Sequence, residues 1–226
     1  MANILIYYPY NQRSVEQQSV MEMLVKKGHK VTLLTTCERG YIHDYVEKFG
    51  VTTASVADTP GKFQFYKRNL VQLNKIIKCY NIEIVIAHQQ IPAIIAGILK
   101  KIRKFKLAYV RHNSDESYSD YPLKAKWLNK IANWLTPVKV APSSVVKNFW
   151  ILNEHVPESQ IIKVHYGYNF NQYEKPVASE VGRIRFKFPS DILVLSIARL
   201  MPVKRHKEML KVIKHFSAQG INIKML

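Results

Sequence analysis

The stretch Ser196–Met209, SIARLMPVKRHKEM, reads as the end of an apolar strand, a short loop and the start of a helix, with Lys204, Arg205, His206 and Lys207 gathered at or just inside that start. A helix N-terminus already carries about half a positive charge, so each cation there costs roughly a few tenths of a kcal/mol or more. An anion bound at the helix end, reached by Arg199 and Lys204, removes the conflict, and a diphosphate is the natural candidate. The competing reading is that these side chains splay into solvent. His88 and His112 each close a strand pattern. They are therefore expected at the edge where α/β sheets bind ligands, although a hydrogen-bonded structural role competes for both. Asp115, Glu116 and Asp120 form an acidic group in a basic chain. Paired carboxylates could serve glycoside hydrolysis or a metal, but loop solvation is the favoured reading. There is no DxD step to hold a metal-bound diphosphate, so no metal ligands and no cofactor are assigned. In a metal-free reaction the cations would stabilise a departing diphosphate, where negative charge builds up.

The elements that must carry these residues alternate from the start. Apolar, strand-forming runs lie at residues 3–8, 30–35, 51–56, 83–87, 106–110, 138–141 and 161–165, with helical periodicity between them. Ser14, followed by Gln17, resembles a capping box for the first helix, and Ser143 or Ser144 caps the helix after residue 141. Trp127, Leu128, Ile131, Trp134 and Leu135 form one amphipathic stripe ending at Pro137. Continuous apolar strands joined by helices predict an α/β, doubly wound parallel sheet, Rossmann-like, covered on both faces. Residues 1–175 form this domain. Residues 176–190, with prolines at both ends, read as a linker. Residues 191–226 restart the pattern as one strand–helix–strand, an incomplete second Rossmann-like domain. A lone unit of that kind does not make a stable doubly wound sheet, so the expectation is a truncated ending.

Composition sets the outer bounds. The chain has 226 residues, 47% hydrophobic and 22% charged, which argues against disorder. No apolar run reaches the ~18 to 20 residues of a membrane span, and the first residues read as a strand, not a signal peptide. Two cysteines, Cys37 and Cys79, in no metal spacing, suit a reducing, cytoplasmic compartment. The net charge of +18 suits an anionic partner, or reflects lysine-rich codon usage with the charge merely solvated. The densest basic run is Lys100, Lys101, Arg103, Lys104 and Lys106. It could rest on an anionic membrane at the inner face, helped by Lys124, Lys126 and Lys130 beside Trp127 and Trp134. Alternatively it is a solvated helix end, with both tryptophans in the core.

Several segments, in order, resemble glycosyltransferase family 4, the two-Rossmann-domain GT-B type. ARLMPVKRHKEML is similar to the stretch GRLxxxKGxxxLL that opens the donor domain. KKGHKVTLLT, IEIVIAHQQIPA, LAYVRHNSDE, VKVAPSSVVKNF and IIKVHYGYNFNQYEKP resemble successive segments of the first domain. The resemblance implies a retaining hexosyl transfer from a nucleotide-sugar donor to a cell-surface glycan or lipid-linked acceptor, as in polysaccharide or lipopolysaccharide synthesis. It implies Arg199 and Lys204 on the donor diphosphate and His112 as the catalytic residue beside the sugar. Arg13, Ser14, His88 and Gly167 would lie in donor or acceptor loops. The chain departs from the family pattern in five places. Asn11, Gln12, Arg13 and Ser14 stand for a Gly-Gly pair, Ala198 and Arg205 replace glycines, Tyr166 replaces an Asn and Asn169 an Asp. The family's pair of donor-domain glutamates would fall past Leu226, so little or no activity is expected of this chain alone. A different class, a non-catalytic nucleic-acid- or anionic-surface-binding protein, fits the charge. No specific nucleic-acid motif supports it. A non-catalytic remnant of a split gene is the third reading.

Overall fold

The computed structural model describes residues 1–58, 60–112, 122–168, 192–198, 200 and 202–225. The chain divides into two units, Met1–Asn169 and Phe170–Leu226. In the first, seven strands form a wholly parallel sheet: β1 (Asn3–Tyr8), β2 (Lys30–Thr35), β3 (Thr52–Ser55), β4 (Ile84–His88), β5 (Lys106–Val110), β6 (Val138–Ala141) and β7 (Ile161–Lys163). The spatial order is β3-β2-β1-β4-β5-β6-β7. Winding runs outward both ways from the β1/β4 pair, which leaves a crevice at the carboxyl ends of these two strands.

The helices are α1 (Val15–Lys26), α2 (Tyr41–Glu47), α3 (Lys62–Cys79), α4 (Gln90–Lys100), α5 (Pro122–Leu135) and α6 (Ser144–Glu154). The period-two alternation of β1 shows why both sheet faces need cover. Ile4, Ile6 and Tyr8 join one cluster with Met21 of α1 and Ile42 and Val46 of α2. Leu5 and Tyr7 join another with Leu73 of α3, Ile95 of α4, Ala132 of α5 and Trp150 of α6. Leu5, Ile6 and Leu73 are fully buried, each gaining roughly 1.5–3 kcal/mol over exposure. The close fit of α4 to α5 depends on Gly97, where a Cβ would stand 2.5 Å from the Leu135 Cβ.

Two buried polar groups lock α5 and α6 to the sheet. Arg111, just past β5, pairs with Glu154 at 2.5 Å. Asn129 and Asn133 of α5 also donate to that carboxylate, at 3.1 and 2.7 Å. Lys139 of β6 donates to the carbonyls of Asn133 and Thr136 and to Gln160 Oε1, at 2.9, 2.6 and 2.7 Å. It thereby satisfies the end of α5, while burial pushes its pKa down to about 8.

Two local expectations are corrected. Ser14 is the N-cap of α1, but its side chain makes no cap bond. Its hydroxyl donates instead to Glu16 Oε2 at 2.9 Å, so the Ser14/Gln17 capping box does not form. The single stripe expected on α5 splits into two faces. Leu128 and Leu135 pack on the core, whereas Trp127 and Trp134 are 64% and 76% exposed, not core residues. Of the two candidate caps for α6, Ser143 takes the role, accepting from the Val146 N–H at 3.3 Å.

In the second unit, β8 (Ile192–Val194) and β9 (Ile223–Met225) pair in parallel around α7 (His206–Ala218). The expected linker, residues 176–190, lies outside the described residues, as do Asp115, Glu116, Asp120, Asn169 and Arg199.

Candidate functional site

The crevice between β1 and β4 is lined by aromatic rings. β1 ends on Tyr8 and β4 on His88, and His112 follows β5. Because β5 lies next to β4 in parallel register, with His88 opposite Val110, the two histidines emerge side by side. His88 Nδ1 meets His112 Nε2 at 2.8 Å, and the rings stack with centroids 5.1 Å apart. The loop after β7 brings Tyr166 over the far side of His112, hydroxyl to Nδ1, with rings 5.7 Å apart and nearly parallel. Tyr8 meets His88 edge-on at 5.6 Å.

Burial holds both histidines below their ordinary pKa. The effect is strongest at His88, where a charge on His112 would lower it further. At His112, burial is partly opposed by the Glu16 carboxylate. Burial, then Glu16, Tyr168 and Tyr8, pushes the Tyr166 phenol up. All three groups are therefore neutral near pH 7. Among the described residues His88 Nε2 is buried with no hydrogen-bond partner. A buried orphan N–H is rarer than a buried orphan acceptor, which assigns the proton of His88 to Nδ1. His88 then donates to His112 Nε2, His112 donates from Nδ1 to the Tyr166 oxygen, and the Tyr166 O–H is left to donate outward.

Two backbone features bear on the site. Gln89, between His88 and α4, has φ 69° and ψ 171°, a region almost confined to glycine and costing about 1–3 kcal/mol. Glu16 stands in the first turn of α1, where the helix dipole favours a carboxylate. It accepts from Ser14 and also bonds the Tyr168 hydroxyl.

The structure thus brings His88, His112 and Ser14 into one neighbourhood with Tyr8, Glu16, Tyr166 and Tyr168. Gly167 follows Tyr166 in the exposed loop, where an added Cβ would meet nothing within 4 Å. Arg13 is exposed just ahead of α1. In the second unit, Lys204 ends a 3-10 turn, Pro202–Lys204, and α7 starts only at His206. Lys204 and Arg205 therefore precede the helix, and Glu208 shares its first turn with His206 and Lys207. Arg205 takes a left-handed φ of 53°, the conformation a glycine would adopt without strain. A hollow of about 350 Å³ opens here, lined by Leu200, Pro202, Arg205, His206, Lys207 and Glu208. Among the described residues no three His, Cys, Asp or Glu side chains cluster to hold a metal.

The fold is that of a GT-B glycosyltransferase domain. The model of Glycosyltransferase Family 4 matches residues 18–172, and the chain belongs to that family. A comparison with curated proteins finds no match. Among solved structures the chain is similar to HepE of Anabaena in complex with UDP, with a TM-score of 0.74 at 14% identity, covering 99% of this chain and 68% of that one. It is also similar to a glycosyltransferase from Rickettsia africae, with a TM-score of 0.67 at 16% identity over 100% of this chain and 68% of that one. A UDP-N-acetylglucosamine 2-epimerase gives a TM-score of 0.62 at 13% identity, covering 99% and 60%. The chain therefore spans about 60 to 68% of these proteins' lengths. An epimerase among them shows that the fold alone does not select a transferase. The family membership does that.

Proposed function

We propose that this chain serves transfer of a sugar, with retention and without a metal, from a nucleotide-sugar donor to a glycan or lipid-linked acceptor. The observation that carries the reading is the neutral His88–His112–Tyr166 ladder at the β1/β4 crevice of a family 4 domain. In the reaction the bond between the anomeric carbon and the diphosphate breaks, and charge collects on the departing nucleoside diphosphate. Arg199 and Lys204 meet that charge. Both nitrogens of His112 are engaged, so His112 borders the sugar while the Tyr166 hydroxyl supplies the outward hydrogen bond. His88 is a positioning residue that fixes the His112 tautomer. Arg13, Ser14 and Gly167 flank donor or acceptor.

HepE was solved with UDP and with UDP-glucose, which favours a uridine nucleotide as the first to try. The acceptor side would meet an anionic membrane at its cytoplasmic face. Within the basic run, Lys100 and Arg103 are tied to the Phe105 carbonyl and to Asn74, at 2.7 and 2.8 Å. That leaves Lys101, Lys104 and Lys106 exposed for this contact. A thermal-shift series with UDP-, GDP- and ADP-sugars at millimolar concentration tests the donor. Saturation near 100 Kd adds about 2.7 kcal/mol and raises Tm by roughly 5–11 °C. No shift with any of them defeats the reading.

A further inference from the structure

We propose that the outer face of α5 is a docking surface that lies in the headgroup layer of an anionic lipid bilayer. Leu123, Trp127, Ile131 and Trp134 are 76%, 64%, 39% and 76% exposed. Their spacing, i, i+4, i+8 and i+11, puts them on one side of the helix. The opposite side closes on the core with Ala125, Leu128, Ala132 and Leu135. The helix therefore turns its small residues inward and its two tryptophans outward, the reverse of an ordinary surface helix. Single exposed apolar residues are normal, but four in a row on one face form a patch that needs an occupant. The patch continues onto the end of α4. Ile98 in its last turn and Ile102 just past it are exposed, and Lys101 Nζ lies 5.2 Å from the Trp134 ring centre.

Charge complementarity identifies that occupant. The helix PLKAKWLNKIANWL carries three lysines and no acid. Lys126 and Lys130 flank the stripe, and Lys130 Nζ stands 5.6 Å from the Trp127 ring centre. Tryptophan at headgroup depth with lysine ammoniums reaching phosphate is the chemistry of an interfacial helix. A second copy of the chain would set these lysines, in a protein of net charge +18, against their own likeness. Nucleic acid would use the cations but gain little from Leu123, Ile131, Ile98 and Ile102.

This deepens the membrane contact proposed above and rests on it, but not on the donor site. The test is co-sedimentation of the full chain with vesicles of phosphatidylglycerol and phosphatidylcholine, against phosphatidylcholine alone, read together with tryptophan emission. Trp150 is fully buried and serves as the unresponsive reference. The expected result is binding to the anionic vesicles only, a blue shift, and quenching by brominated lipid. The paired change Trp127→Ser and Trp134→Ser should weaken partitioning at least tenfold with Tm unchanged. The change Lys126→Gln and Lys130→Gln keeps the stripe and should weaken the preference for anionic lipid, and an unchanged preference would overturn the assignment of these lysines to the surface. Suppose Lys104→Gln with Lys106→Gln abolishes binding while the tryptophan pair does not. The general membrane contact then stands, and the α5 surface is refuted. Conversion of a dimer to a monomer by the tryptophan pair, with no vesicle binding by the native chain, also overturns it.

Discussion

Mild acid should unfold this domain through its neutral histidines, and the structure identifies the groups responsible. His43 and His88 are buried, and burial lowers the pKa of both from about 6.5, His88 well below it. At His43, Nδ1 accepts from the Gly40 N–H at 3.0 Å and Nε2 meets Thr35 Oγ1, also at 3.0 Å. A proton on Nδ1 would break the first of these bonds. Unfolded histidines take up protons as the pH falls through about 6.5, while these remain neutral in the fold. The unfolded state then binds more protons, so stability is full above that pH and declines below it. Each such histidine costs at most about 1.4 kcal/mol per pH unit, so the two together approach 3 kcal/mol per unit. His112, partly exposed, adds less. Urea unfolding between about pH 7 and 5.5 measures the slope. His88→Asn keeps a donor toward His112 Nε2 but removes the titrating ring, and should flatten the slope by close to one proton. An unchanged proton uptake in that variant, or a stability that is level across the range, would refute the reasoning.

Glu154→Gln leaves the buried Arg111 guanidinium without its counter-charge and should cost about 3 kcal/mol in urea unfolding. Gly97→Ala drives a Cβ into Leu135 at 2.5 Å and should lower stability by about 1–3 kcal/mol, read as a fall in Tm. Gln89→Gly releases the left-handed backbone beside His88 and should raise Tm, worth about 1 kcal/mol after the entropic cost of glycine.

Most of the seven strands were legible as apolar runs, because a parallel sheet buries both faces of its central members, while β3, Thr-Thr-Ala-Ser at the sheet edge, was legible from its strand-forming threonines and flanking valines. Their ends were legible to within a residue or two, including the placement of His88 and His112 at the ligand edge. The contact between those histidines was not, since it depends on β5 lying beside β4, an order that apolar periodicity does not encode. Tyr166 was visible only as a departure from a motif. Its position against His112 comes from the loop after β7 folding back across the sheet edge. The stripe on α5 misled because Trp127, Ile131 and Trp134 share helical periodicity with Leu128 and Leu135, and hydrophobicity alone does not tell an inner face from an outer one. Ser14 and Gln17 have capping-box spacing, but Glu16 sits closer and takes the hydroxyl. At α7 the Pro202–Lys204 turn and the left-handed Arg205 shift the helix start past two of the four cations.

The donor assignment is tested most directly by ³¹P NMR of UDP-glucose, and of GDP- and ADP-sugars, titrated with the protein and with Lys204→Ala. A nucleotide-sugar held by its diphosphate should show a shifted or broadened β-phosphate resonance with the native chain. Affinity should be at least about tenfold weaker in the variant. Phosphorus resonances that do not respond to the native chain at millimolar concentration, or that respond equally to both proteins, would contradict a diphosphate site at Lys204.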